Sequence, residues 1–354
     1  MKIKIKNNIR KIGYYSVVKI ISFLKKIEQT IMPPEAYILS TMTNGLIISR
    51  CLSVVADLEV ADYIDGVVHI DVLSSKINCN SDALYRILRC LSSVGIFKEN
   101  SNKRFSHSNL SLVLKRDNNK TVLNWLKYFN SKEQFEQWNA IVSTVKNGKT
   151  VYENNFGVSI FDWYKENQEA QKLFHNAMQN ISDITNYDII NSYNFSNINS
   201  VMDIGGGNGS LLKDVLFNNT HLQGAVYDLF EKTDFSEEKN IQFINGDFFE
   251  CIPKEFDVYI MKSILHDWNN EDSIKILKNI QKSMHSKSKL LIIETLINED
   301  KNDFAKITDV AMLTLSGGKE RTIKELKKII DNSGLRIINV ITTPTPFSLV
   351  EITL

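Results

Sequence analysis

Cysteine is scarce: Cys51, Cys79, Cys90 and Cys251 are all that 354 residues contain. They form no C-x-x-C pair and no cluster with histidine, which excludes a zinc site or a disulfide framework and suits a reducing compartment. Charge of one sign is lacking too. Forty-two Lys and Arg balance 41 Asp and Glu to a net +1, so no global field exists to hold a polyanion, and nucleic acid is not an expected partner. No internal repeat or low-complexity block interrupts the chain. Its hydrophobic fraction of 43% is ample for a packed core, in one large or two moderate domains.

The first residues are the exception to the charge balance. Lys2, Lys4, Lys6, Arg10, Lys11, Lys19, Lys25 and Lys26 occur there with no acidic residue among them. A secretory signal is excluded because Lys19 interrupts the only apolar run, Tyr14 to Leu24, and no small-residue cleavage site follows. That run is also too short to span a bilayer. A basic amphipathic segment on an anionic membrane surface is one reading. A terminal helix or frayed tail with a solvated basic face is the plainer one. The expectation is a cytoplasmic protein with no integral membrane segment.

From Pro33 to about Asp117 the pattern predicts short helices, over Ala36 to Val55 and over Ser81 to Val94, the second with Leu84, Ile87, Leu88 and Leu91 on one face and Ser81 and Asp82 as its cap. The stretch from Gly95 to Ser106 reads as strand, polar turn and strand. Helices closed by a hairpin make a winged-helix-like unit. With no concentrated basic recognition face, packing or dimer formation suits it better than DNA binding. Residues 121 to 193 read as helical, with Trp125, Phe129, Phe135 and Trp138 among polar residues. Beyond Ser200, short apolar strands alternate with helices, the signature of a parallel sheet wound in βαβ units. Strands are expected at Val201–Ile204, Ala225–Asp228, Ile241–Ile244, Val258–Met261 and Leu290–Glu294, with two more from Arg336.

The strongest local signal is Val201-Met-Asp-Ile-Gly-Gly-Gly-Asn-Gly-Ser210, a strand running into glycines and then a helix, Leu211 to Phe217. Glycines there permit a sharp turn and bring a ligand close to the main chain at the carboxyl edge of the sheet. Gly205 and Gly207, with Asp203 just before them, are therefore candidate ligand contacts. The spacing is wrong for a dinucleotide fingerprint, since Gly207 is followed by Asn208, Gly209 and Ser210, and no Gly-Lys-Ser/Thr follows to make a P-loop. Asp228, at the end of the second strand in Tyr227-Asp-Leu229, sits where a carboxylate grips ribose hydroxyls. Asp247 ends the third strand and could accept from an adenine amino group, with Phe248 stacking on the ring. A single Asp after a strand is usually a turn or cap residue; three such features in order on successive strands favour the ligand reading.

The fourth strand exits through Lys262, His266, Asp267 and Trp268, at the same sheet edge as the glycines. Histidine has the side chain whose unperturbed pKa of about 6.5 suits removal of a proton from an attacking hydroxyl. His266 is the candidate base; His69, His107, His175, His221 and His285 have no comparable setting. Carboxylates orient such a base by holding its second ring nitrogen. Glu294 ends the fifth strand. Glu320, in Gly317-Gly-Lys-Glu-Arg-Thr322, is a second candidate, although a first-turn helix carboxylate complementing the dipole is an equally good local reading.

Taken in order, Asp203-x-Gly-Gly-Gly-x-Gly209, Tyr227-Asp-Leu229, Gly246-Asp-Phe248, His266-Asp-Trp268 and Gly317-Gly-Lys-Glu-Arg-Thr322 resemble the caffeate/flavonoid-type small-molecule O-methyltransferases, in their bacterial branch. The resemblance is close over the C-terminal half and holds in outline over the N-terminal half. It implies a doubly wound, Rossmann-like class I methyltransferase α/β sheet behind an N-terminal all-helical, winged-helix-like dimerisation domain. It further implies S-adenosylmethionine, leaving as S-adenosylhomocysteine, held by Gly205, Asp228, Asp247, Phe248 and Lys262, with Asp203, Gly207 and Leu229 in the same motifs. His266 is then the base, flanked by Glu294 and Glu320, with no metal. A homodimer is implied, whose N-terminal domains lend residues to the partner's acceptor pocket. The chain divides as a basic leader over 1–30, the dimerisation domain over 31–120, a helical linker and acceptor-pocket region over 121–195, and the methyltransferase domain over 196–354. Two features depart from the family's plant members: a short connection from Asp228 to Asp247, and the basic leader. The acceptor is expected to be a small hydroxylated, aromatic molecule, with Trp125, Phe129, Phe161, Trp163, Phe174 and Met178 as candidate walls, although core packing is the commoner role for each taken singly. The alternatives are a relative that binds S-adenosylmethionine for altered chemistry and a ligand-sensing winged-helix regulator.

Overall fold

The computed structural model describes residues 14–229, 240–299 and 304–354. They form two compact units, one of Leu24–Trp138 with Tyr164–Ile184, the other of Asn139–Trp163 and Thr185–Leu354 with the described residues before Leu24.

In the first unit a helical stretch runs from Pro34 to Leu39, through a wide turn at Ser40–Asn44, into Gly45–Asp57. The helices Ile70–Ile77 and Ser81–Ser93 follow. Strands β1 (Val68–His69), β2 (Phe97–Asn100) and β3 (Arg104–His107) close the unit as an antiparallel sheet in the order β1-β3-β2. Helix Ser81–Ser93 turns Leu84, Leu88 and Leu91 onto Val55, Leu73, Phe97 and Phe105, the one-faced spacing that makes a surface helix pack. Its cap is Asn80, whose Oδ1 accepts from the Ala83 N–H at 2.9 Å, and not Ser81 as the sequence suggested. The Ser81 hydroxyl donates instead to Asp71, and Asn80, with extended backbone, offers the short-reach acceptor that a cap requires.

The second unit is built on seven strands: β4 (Ser200–Ile204), β5 (Gln223–Asp228), β6 (Ile241–Asn245), β7 (Val258–Lys262), β8 (Lys289–Glu294), β9 (Arg336–Thr342) and β10 (Ser348–Thr353). Their order is β6-β5-β4-β7-β8-β10-β9. Strands β4 to β8 pair in parallel, while β10 runs antiparallel between β8 and β9. Alternation along the strands supplies two cores. Met202, Ile204, Tyr259 and Met261 face Ile276, Leu277 and Ile280 of helix Asn270–Ser283 and Leu326, Ile329 and Ile330 of helix Ile323–Asn332. Val201, Val258 and Ile260 face Leu211, Leu212 and Val215 of helix Ser210–Asn218 and the end of helix Gln168–Ile190. Both faces are covered, as a parallel sheet requires. The chain winds outward from β4 to β6, then returns to β7 on β4's other side. This reversal, at the carboxyl ends of β4 and β7, is where doubly wound sheets seat their ligands.

Candidate active site

The glycine turn leaves β4 at this switch point. Gly205 has φ +67°, and a side chain there would put its Cβ 2.4 Å from Ile264 Cδ1, so only glycine fits both the backbone and the approach. The same position lies 3.9 Å from Phe248 Cε1. The turn after β4, the loop after β6 and the segment leading to His266 thus meet at one point. Asp228 pins the turn from β5: its Oδ2 accepts from the Gly207 N–H at 2.9 Å and its Oδ1 from the Leu229 N–H at 2.7 Å. Burial raises its pKa, and those two donors hold it back. A carboxylate has about four acceptor sites, so each oxygen keeps capacity for another donor. Asp247 folds the next loop by accepting from the Phe249 N–H at 2.7 Å. The Asn279 side chain donates to the carbonyls of Phe248 and Phe249 at 3.1 and 3.0 Å. Trp268 meets Phe249 edge-on with centroids 4.7 Å apart, and Phe248 at 6.1 Å.

Asp203 and Lys262 emerge toward the other face of the sheet. Asp203 is 2% exposed, its Oδ1 has no hydrogen-bond partner, and burial, relieved by Lys262 but reinforced by Asp228, pushes its pKa up to about 7. Lys262 donates to Asn186 Oδ1 at 3.1 Å and lies over the Phe347 ring. Asn186 in turn donates to Asp214 at 3.1 Å. Asn186 and Asn279 carried no signal in the sequence, because each acts on a partner 30 or more residues away.

His266 sits in a short turn, Leu265–Asp267, directly after β7. Its side chain is 17% exposed, while those of Glu294 and Glu320 behind it are 6% and 3% exposed. Nδ1 lies 3.2 Å from Glu320 Oε1 and 3.6 Å from Glu294 Oε2, and Nε2 lies 3.8 Å from Asp267 Oδ2. Burial alone would lower the imidazole pKa, but Glu294, Asp267 and Glu320 outweigh it and push it up to about 10. Glu294, raised by burial and by its acidic neighbours against the pull of His266 and Arg321, stands at about 7. Glu294 also anchors the turn, its Oε1 accepting from the Ile264 and Leu265 N–H groups at 3.2 and 2.9 Å. The two local readings of Glu320 are thereby separated. Helix Ile323–Asn332 begins with a reciprocal cap of Thr322 and Glu325, which supplies the first-turn carboxylate and leaves Glu320 outside the helix and against the imidazole. Donor atoms of His266, Glu294 and Glu320 lie within 4.8 Å of one another. The 3.2 Å contact of Nδ1 with Glu320 is a hydrogen-bonding distance, so a shared proton accounts for the cluster.

Of the aromatic candidates, Phe161 stacks on Trp268 at 6.0 Å and 28°, beside the turn that carries His266. Trp163 packs on Tyr152. Trp125 stacks on Phe129, and Phe174 on Tyr164, within the first unit.

A doubly wound sheet with a glycine turn at its reversal, an acidic residue ending the next strand and another just after the one beyond it defines a class I methyltransferase. Residues 138–336 match the family model of the O-methyltransferase domain, and residues 40–117 that of the O-methyltransferase dimerisation domain. The chain belongs to the O-methyltransferase family, and it is an S-adenosylmethionine-dependent enzyme that methylates small molecules. It is 30% identical to a phenazine O-methyltransferase of Lysobacter antibioticus, over 90% of this chain and 96% of that one. The solved structure of a mitomycin 7-O-methyltransferase superposes with a TM-score of 0.80 at 28% identity, covering 90% of this chain and 97% of that one. A methyltransferase of calicheamicin biosynthesis, solved with S-adenosylhomocysteine bound, gives a TM-score of 0.80 at 26% identity, covering 90% and 98%.

Proposed function

We propose that this enzyme methylates a phenolic hydroxyl on a planar aromatic acceptor, with His266 as general base. The observation that carries the reading is the partly exposed imidazole backed by three carboxylates, its pKa near 10. A phenol also titrates near 10, so proton transfer between the two is close to balanced. An ordinary imidazole, about 3.5 units weaker, would face an uphill step of roughly 5 kcal/mol. Glu320 and Glu294 hold Nδ1 and stabilise the imidazolium as the proton arrives, and the outer part of the ring meets the acceptor. Phe161 and Trp268 give the acceptor's ring an apolar wall. The name of the phenazine O-methyltransferase relative supports a planar aromatic acceptor.

The donor fits the residues present. The main chain at Gly207 borders open space, and the unpartnered Asp203 oxygen is a buried acceptor. When bound, S-adenosylmethionine supplies a methyl group on a positively charged sulfur. Asp228 receives its ribose hydroxyls, Asp247 and Phe248 its adenine, and Gly205, Gly207 and Leu229 the adjoining main-chain contacts, while Asp203 and Lys262 set the charge beneath the turn. Donor and acceptor held in register account for much of the acceleration. The experiment is a labelled-donor assay over hydroxylated benzenes, naphthalenes and phenazines. Turnover of aliphatic alcohols alone, or of no hydroxyl compound while the cofactor binds, removes the reading and favours the altered-chemistry relative; the enzyme family already excludes a regulator as the primary role.

Asp203 makes cofactor binding depend on pH. Without ligand its carboxyl is protonated below about 7, and a cationic ligand favours the ionised form. Binding at lower pH must therefore expel a proton. Calorimetric affinity for S-adenosylmethionine should fall about tenfold per pH unit below 7 and level off above it, and Asp203→Asn should flatten the curve. A flat curve in the native enzyme removes Asp203 from the cofactor's surroundings.

The protein works as a homodimer. Ile38, Leu39, Met42, Leu46 and Ile47 are exposed on the stretch Pro34–Asp57, and the dimerisation match begins at residue 40. By length and composition this stretch is apolar enough to cross a membrane; we read its face as covered by a second copy. Light scattering should give twice 40.5 kDa, and Met42→Glu with Leu46→Glu should halve the mass. A native monomer would remove the shared interface. The four unpaired cysteines support a reducing compartment, the cytoplasm, as its place of action.

A further inference from the structure

The base is held from a side that neither its sequence motif nor its carboxylates account for. Arg321 is 4% exposed, and every one of its nitrogens donates. Nη1 donates to the Leu265 carbonyl at 2.7 Å, Nη2 to the Trp268 carbonyl at 2.7 Å and to Ser273 Oγ at 3.1 Å, and Nε to Asn270 Oδ1 at 3.2 Å. The two carbonyls flank His266 in the chain, so the rigid guanidinium fork spans the turn and fixes where it starts and ends. Three residues earlier, Gly318 lies against the same turn: a Cβ there would be 2.0 Å from the His266 carbonyl oxygen and 2.6 Å from the Asp267 carbonyl carbon. The neighbouring Lys319 N–H donates to that His266 carbonyl at 2.8 Å. Asp309 fixes the other end of the loop by accepting from the Glu320 N–H at 2.9 Å.

We infer that Gly318 and Arg321 are positioning residues for the methyl transfer, clamping the Leu265–Trp268 turn so that the imidazole of His266 meets Glu320, Glu294 and the acceptor in one fixed geometry. This rests on His266 being the base. The clamp explains why the loop carries Gly-Lys-Glu-Arg as a unit. Glycine allows contact, the Lys319 main chain and the Arg321 fork hold the turn's carbonyls, and Glu320 between them reaches the ring. Arg321 also works through charge. It lowers the Glu294 pKa, and so keeps negative charge beside His266. The titratable groups around the ring are Glu294 from β8, Asp267 from its own turn, and Glu320 with Arg321 from the clamping loop.

Two variants test it, Arg321→Met and Gly318→Ala, each counted by calorimetric titration with S-adenosylhomocysteine so that only folded, ligand-binding sites are compared. The first readout needs no acceptor. In protein labelled with ¹⁵N-histidine, the His266 resonances are those lost in His266→Ala. In both variants their pKa should fall by at least one unit from the native value, because the carboxylates no longer converge on the ring. The second readout is a double-mutant cycle on the phenol with the highest native turnover in the acceptor panel. Each single variant should lose roughly 10²-fold in kcat per binding site, the cost of a misplacement of about 1 Å, with KM unchanged. Added to His266→Ala, either should cost less than twofold more, since a clamp with nothing to hold has no effect. An unchanged His266 pKa in both variants, or losses that multiply with His266→Ala, overturns the clamp while leaving the base reading intact. Native-like turnover by His266→Ala overturns the base reading by itself.

Discussion

His266→Ala lowers kcat toward a phenolic acceptor by roughly 10²–10⁴, the usual worth of a positioned base, while affinity for S-adenosylmethionine stays at the native level. The separation follows from the geometry: the glycine turn packs against Ile264 and Phe248, while the imidazole is held by Glu320, Glu294 and Asp267. The pH dependence carries the sharper form of the prediction. In the free native enzyme the imidazole is charged at neutral pH and becomes available as a base only as pH rises toward about 10. The kcat/KM therefore climbs about tenfold per unit between pH 7 and 9, at a position that belongs to the enzyme and stays put when the acceptor is changed. In the alanine variant what remains tracks the acceptor's own ionisation, so a nitro-substituted, more acidic phenol narrows the gap with wild type. The variant should remain folded near neutrality, because Glu294, already at about 7, takes up a proton once its cationic neighbour is gone. A carboxyl whose folded pKa is raised stabilises fully below its ordinary value of about 4.5 and loses that contribution as pH rises through the folded value; the variant's thermal stability should accordingly fall as pH rises from about 4.5 through 7, and level off only above the folded value. Equal kcat in both proteins would leave His266 a structural residue.

The strands were legible because each is a short apolar run, most of them ending in a glycine or an acidic residue, and expected and observed boundaries differ by one or two residues from β4 to β8. The glycine turn was legible for the same local reason: spacing alone excluded the dinucleotide and P-loop readings. Glu320 shows where local reasoning stops. Its sequence neighbourhood fits a helix start as well as a base's partner, and only the pairing of Thr322 with Glu325, together with the 3.2 Å contact to His266, separates the two. Ser81 and Asp82 are good capping residues by type, and residue type alone does not show that Asp71 takes the serine hydroxyl while Asn80 caps the helix. The positions of Arg321 and Gly318 within Gly317–Thr322 carry no local sign of their role, because what they touch is main chain some 50 residues away. Carbonyl acceptors leave no trace in residue type. The ten residues between Leu229 and Asn240, over which the short connection to Asp247 was expected, lie outside the described residues.

Asp228→Ala weakens S-adenosylmethionine binding by roughly 10²-fold, as two hydrogen bonds to a charged acceptor are worth about 1.5–3 kcal/mol each and add incompletely. Two losses combine in that figure. The carboxylate no longer accepts from the ribose hydroxyls, and the Gly207 N–H loses the partner that now holds it at 2.9 Å, so the turn must be ordered by the ligand itself. Asp228→Asn separates them. Its amide oxygen can still accept from Gly207, but the charge is gone and one of the two oxygens has become a donor, so the loss should be nearer tenfold. At saturating cofactor both variants should approach native kcat, because Asp228 stands at the end of β5 and the base at the end of β7, with β4 between them. Calorimetry on S-adenosylhomocysteine gives the affinities without any acceptor. Native affinity in Asp228→Ala would mean that the ribose is held elsewhere and that Asp228 serves only to shape the turn. A loss in kcat as large as the loss in affinity would mean that the turn positions the reacting groups as well as the cofactor.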